Sequence, residues 1–188
     1  MHPTSSTQWR TLVSQAEIVI GHTITEQTGK YLVDLLVHFS AKPLMMARVL
    51  AFDYLNDPLM QAKSRTERLK DIGDHCLLFT GLFPQHAERR KIRLGHMVEL
   101  GQNAYHQLHE STPYEGGGLY GDLAREFVTL MDLLHAVREL RDERARLSPL
   151  HAFDLWSDTG SQHALRVLRD FTDATPIRPS LYDDTFLM

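Results

Sequence analysis

Residues 64–84 read SRTERLKDIGDHCLLFTGLFP. The segment opens on Ser64 with Glu67 three positions later, the spacing of a capping box, and closes before Pro84. At 100° per residue Leu69, Ile72, Gly73, Cys76, Phe79, Thr80 and Phe83 share one face, and Leu77, Leu78 and Leu82 cover much of the rest. A helix that is apolar nearly all round is buried, so this segment predicts the central element of a helical bundle. Gly73 on the inner face costs about 1 kcal/mol of helix propensity against alanine, which a close helix crossing there would offset.

The rest of the chain carries the same signature. Its 188 residues hold 28 leucines and 7 methionines against 15 valines and isoleucines together. Unbranched side chains of this kind favour helix. No run of six residues alternates as a strand does, and no period repeats. Thr25 predicts the cap of a helix to about Ala41 with Tyr31, Leu32, Leu35, Leu36 and Phe39 on one side, after a first helix from Ser5 or Thr7 to about Ile20. Pro43 predicts the start of another that buries Met45, Val49 and Phe52. A further helix follows Pro84 to about His109, bent at Gly95, with Met97, Gly101, Ala104, Tyr105 and Leu108 as its apolar stripe. The linker STPYEGGG (111–118) precedes a long helix from Leu119 to about Arg146 along Leu123, Phe127, Leu130, Leu134 and Val137. Ser148-Pro149 starts a short helix through Trp156, and Ser161–Asp173 another. The expected fold is a single all-α domain over residues 1–175, built of six to eight helices. Residues 64–109 form its central antiparallel hairpin, the 119–146 helix packs across it, and residues 176–188 form an extended or mobile tail.

Composition bounds the function. There are 20 Lys and Arg against 24 Asp and Glu, a formal charge of −4 and a pI near 6.2. That is the opposite of a basic nucleic-acid footprint, so nucleic acid is not the expected partner. No stretch is apolar enough to span a bilayer, the opening residues lack the apolar core of a secretory signal, and a lone cysteine excludes an internal disulfide. The expected location is the cytoplasm. Histidine is enriched, with 11 residues.

Motifs that carry chemistry are scarce. No Glu-x-x-His pair occurs, and His96, Glu99, Asn103, His106 and Glu110 fall opposite the apolar stripe of their helix, on a solvated face. Asp132 and His135 form an Asp-x-x-His, which the helical wheel places 120° or more from the Leu123 line, at the surface. Asp71 and His75 at i, i+4 make a local polar pair. Cys76 lies in the most apolar run, where burial raises a thiol pKa, so it reads as core. GGG at 116–118 has neither a preceding strand nor a following Lys-Ser/Thr, and no Gly-x-Ser-x-Gly elbow is present. Neither a metal nor a cofactor is implied. Asp74 stands out because its sector turns apolar one turn later. A carboxylate entering a core needs an opposite charge or several donors, and Arg89, Arg90, Lys91 and Arg93 supply it if the next helix folds back.

The run Gly73-Asp74-His75-Cys76-Leu77-Leu78-Phe79-Thr80-Gly81-Leu82-Phe83-Pro84, followed by Gly101-Gln102-Asn103-Ala104-Tyr105, resembles a group of uncharacterised bacterial helical proteins sharing Gly-Asp, a Gly-Leu/Phe-Phe-Pro end and Gly-x-x-Ala-Tyr. The resemblance implies that residues 69–108 form one structural hairpin and transfers no activity. Two functions follow as expectations. One is a self-associating or protein-binding helical module, with Leu181, Tyr182, Phe186 and Leu187 of the tail offered to a partner. The other is a helical enzyme, or a binder of a metal or small ligand, whose pocket gathers Asp74, His75, Arg90 and Tyr105.

Overall fold

The computed structural model describes residues 5–41, 63–89, 91–112, 117–142, 146–172 and 176–177. All regular structure in them is helical. In chain order the elements are α1 (Ser5–Ile20), α2 (Glu26–Ala41), α3 (Arg65–Leu82), α4 (Pro84–Arg89), α5 (Leu94–Ser111), α6 (Gly117–Arg125), α7 (Phe127–Arg141), α8 (Pro149–Thr159) and α9 (Gln162–Phe171). The Pro43 helix with Met45, Val49 and Phe52 lies outside the described residues, as does residue 90.

Helix boundaries follow local chemistry. Ser64 Oγ accepts from Glu67 N at 3.2 Å while the Glu67 carboxylate accepts from Ser64 N at 2.9 Å, which completes the capping box. Thr25 caps α2 through Thr28 N, and Ser148 caps α8 ahead of Pro149. α1 stops at Gly21, whose φ of 69° is left-handed and lets His22 N return to Glu17 O at 3.2 Å.

Nine helices among the described residues exceed the expected six to eight, because two predicted helices are each divided. The segment after Pro84 is divided into α4 and α5, with Lys91 at a φ of 55° and residues 91–93 outside either helix, rather than bending at Gly95. The 119–146 helix is interrupted at Glu126, although Glu126 N still bonds Asp122 O and Leu130 N still bonds Glu126 O. α6 also begins at Gly117, inside the predicted linker.

The hairpin is antiparallel. A Cβ on Gly73 would lie 2.5 Å from the Tyr105 ring, and one on Gly101 would lie 2.8 Å from Cys76 Cβ, so rising numbers on α3 meet falling numbers on α5. Every residue from Gly73 to Gly81 is buried. α7 crosses the pair, with Phe127 against Gly101 and Leu134 against Gly81. The predicted apolar line, with Leu123 on α6 and Phe127, Leu130, Leu134 and Val137 on α7, is fully buried. α1 packs on α7, and α8 and α9 pair with each other, with α9 also against α7 and α8 against α5.

The crossing sets a sharp size limit. A Cβ on Gly101 would stand 2.5 Å from the Phe127 ring, whereas one on Gly118 would meet nothing within 4 Å. Gly101→Leu should therefore lower unfolding free energy by about 1–3 kcal/mol, and Gly118→Ala should leave it unchanged or raise it by up to about 1 kcal/mol. Urea unfolding of the two variants checks this, and equal midpoints would refute the crossing.

Candidate functional site

Asp74 sits in the middle of α3 with 4% of its surface exposed. One carboxylate oxygen, Oδ1, accepts from the Tyr31 hydroxyl of α2 at 2.5 Å and from the Tyr105 hydroxyl of α5 at 2.7 Å. The other, Oδ2, accepts from Lys70 Nζ at 2.7 Å, one turn back on the same helix. Three donors, one of them cationic, meet the requirement for burying a carboxylate.

The surroundings complete the cluster. Lys70 Nζ lies 5.2 Å from the centre of the Tyr31 ring, within cation–π range. Tyr120 of α6 packs edge-on to Tyr31 at 6.3 Å and stacks on Tyr105 at 6.3 Å. Gly73 leaves room for the Tyr105 ring, which is what lets the Tyr105 hydroxyl reach the carboxylate. Burial first, then the negative charge of Asp74, push the Tyr31 and Tyr105 hydroxyls far above their ordinary value. Tyr120 is raised as well, again chiefly by burial. Burial alone would lower Lys70, but the Asp74 carboxylate outweighs it and the ammonium is held above its usual range.

The structure thus joins Asp74 and Tyr105, while His75 makes a different contact. His75 is buried and stacks on Phe79 at 6.5 Å, and burial brings its imidazole down to about 4. Arg90, together with Leu181, Tyr182, Phe186 and Leu187, lies outside the described residues. The expected arginine partner of Asp74 is corrected to Lys70 and two tyrosines. Arg89 and Lys91 are exposed, and Arg93 pairs with Asp158 at 3.0 Å. The reason is register: at about 1.5 Å per residue, Pro84 lies about 15 Å along the axis from Asp74, and the antiparallel return brings residue 105 opposite it, not Arg89, Lys91 or Arg93. Asp71 pairs with Lys63.

Asp132 and His135 need a second correction, since both are buried rather than at the surface. α9 covers the sector that the isolated helical wheel leaves open. The Asp132 carboxylate accepts from Ser161 Oγ at 2.5 Å, Gln162 N at 2.9 Å and His163 N at 3.1 Å, so it caps α9 from α7. His96, Glu99, Asn103, His106 and Glu110 are exposed, as their spacing indicates. Cys76 is buried and its thiol is pushed up to about 12 by burial.

Two open cavities are formed by described residues, one of about 620 Å³ beside Trp9 and Arg141 and one of about 420 Å³ between Lys91–Leu94 and α8. Asp74 lines neither. No group of three or more His, Cys, Asp or Glu among the described residues is arranged to hold a metal ion. No protein-family model, curated protein or solved structure matches the chain. The chemistry the cluster performs is therefore read from its geometry alone: it ties α2, α3 and α5 together through one charge.

If that tie is structural, Asp74→Asn leaves Lys70 without its anion and turns an amide N–H toward an ammonium. The expected loss is about 2 kcal/mol, with about 1–2 kcal/mol for each of Tyr31→Phe and Tyr105→Phe. Thermal melts at neutral pH check it; a gain in stability for Asp74→Asn would mark the carboxylate as a functional group held at a cost to the fold. The raised tyrosines add a pH test. Their folded values exceed the unfolded value near 10, so their contribution is intact below pH 10 and is lost as pH rises beyond it. Stability should fall above pH 10 less steeply in the double variant Tyr31→Phe/Tyr105→Phe than in the wild type.

Proposed function

We propose that this chain is a cytoplasmic helical interaction module, of the bacterial kind its sequence resembles, that associates with a second copy of itself. The observation that carries this reading is a set of large apolar side chains left exposed on α1 and on α9, two helices that touch each other. Arg166 of α9 donates to the carbonyls of Val19 and Ile20, which brings the end of α1 against α9. Ile18 is 81% exposed there, Val19 is exposed beside it, and α9 itself ends on Phe171, 60% exposed. Large apolar side chains left in water on adjoining elements are what an association surface offers. No described helix is long and apolar enough to cross a membrane, which suits a soluble assembly. The tail residues Leu181, Tyr182, Phe186 and Leu187 extend the proposal to a second contact.

The ligand-binding reading around Asp74 has less support, because each oxygen of that carboxylate already accepts from the protein and neither cavity reaches it.

Sedimentation equilibrium over tens to hundreds of micromolar tests the association. A mass above one chain is expected in the wild type. Ile18→Lys with Phe171→Lys should shift it toward the monomer with stability held within about 0.5 kcal/mol, since both sites are exposed and lysine suits a helix C-terminus. Deleting residues 176–188 should weaken association in the same assay. A wild type that stays monomeric throughout the range defeats the proposal, and a stoichiometric metal or a visible chromophore in the purified protein would favour the ligand binder.

A further inference from the structure

The contact between α7 and α9 holds a side chain that the Asp74 cluster does not use. His135 is 0% exposed, and both of its ring nitrogens are buried without a hydrogen-bond partner. Its ring lies parallel to that of His163, with 5.7 Å between centres and 5° between planes. Nε2 of His163 stands 3.0 Å from Oε1 of Glu139, one turn beyond His135 on α7. An apolar residue of similar size would fill the His135 site without leaving polar atoms unsatisfied, whereas the imidazole leaves two. What the imidazole adds is a proton-binding site sealed beneath α9.

We propose that the stacked His135 and His163 form an acid-sensitive latch, which holds α9 against α7 at neutral pH and releases it under mildly acidic conditions. The stack packs well only while the His135 ring is neutral. A proton on it would create a cation with no acceptor, one turn before the Arg138 guanidinium and against the His163 ring. Burial first, and then Arg138 and His163, accordingly hold the His135 imidazole far below its ordinary range.

Among the described residues, the other elements packed on α7 bring no counter-charge to the ring. α3 meets α7 at Gly81 and Leu134, beyond His75, its last histidine or charged residue, and α5 meets it at Gly101 and Phe127, two turns before His135. On α1, Arg10 is exposed and Glu17 accepts from Ile24 N at 2.9 Å. On α7 itself, Glu139 faces His163 and Asp132 is spent on the N-terminus of α9.

The sign of the effect follows. The docked state holds His135 neutral while the released state gives it an ordinary value near 6.5, so docking is fully favoured above that pH and is lost as pH falls below it. Asp132 acts in the opposite sense, because burial raises its carboxyl and protonation then favours the docked state. Acid release therefore cannot come from Asp132. His75 is also neutral when buried, but it lies on α3, and its protonation would open the hairpin rather than α9.

Hydrogen exchange separates these cases when read as protection factors, which remove the intrinsic pH dependence of exchange. Each pH unit below 6.5 weakens docking by up to about tenfold, so between pH 7.5 and pH 5.0 the amides of Val167 and Leu168 should lose up to about thirtyfold in protection. His135→Phe, or His135→Leu where the larger ring does not fit, should abolish the loss at α9, and His75→Phe should retain it. The latch is overturned if α9 in the wild type keeps its protection at pH 5.0, or if the His135 variants lose it as the wild type does.

Discussion

A carboxylate placed halfway along a helix that is buried on every side can survive only if donors reach it from neighbouring helices, and Asp74 imposes that demand on the whole molecule. Its own helix supplies one donor, Lys70, and the remaining two must come from α2 and α5. The hydroxyls of Tyr31 and Tyr105 meet on a single oxygen, so the positions of two helices are set by one atom of a third. Hydrophobic burial holds helices together but leaves their rotation and axial shift loosely specified. A buried charge with fixed partners removes that freedom. Tyr120 then packs on both phenol rings and draws α6 into the same arrangement.

The glycines belong to the same constraint. Tyr105 can lie flat on α3 only because Gly73 has no side chain, and the Phe127 ring fits between α3 and α5 only because Gly101 has none. In both cases an aromatic ring occupies the space left by an absent methyl group. The loss in helix propensity at each glycine is offset by the dispersion contacts of a large planar side chain against backbone. At the other end of the crossing, Gly81 admits Leu134 by the same means.

Much of this was legible in the chain itself. The capping box at Ser64, the all-round burial of CLLFTGLF, the small residues at 73 and 101 and the apolar line of α7 follow from spacing, because each depends on residues close together in sequence. The oddity of Asp74 was legible for the same reason, but its ion-pair partner was sought among the basic residues past Pro84, and Lys70, four residues back on the same helix, was missed. Tyr31 was not legible, since 43 residues separate it from Asp74 and its helical wheel marks it only as part of an apolar side. Asp132 and His135 misled because amphipathicity shows which face of a helix is polar but not whether a later helix will cover that face. The divisions at residues 91–93 and at Glu126 carry no proline or glycine to announce them.

The capping of α9 by Asp132 bears on how the chain folds. A ten-residue helix in isolation is marginal in water, because nucleating its first turn fixes several residues for a single hydrogen bond. Two of the amides that open α9 are satisfied by a carboxylate 30 and 31 positions upstream in the sequence. α9 thus completes its first turn only after α7 has formed and come within reach. Synthesis runs in the same direction, so the carboxylate is already in place when the last helix emerges, and the order in which the parts are made matches the order in which they are needed.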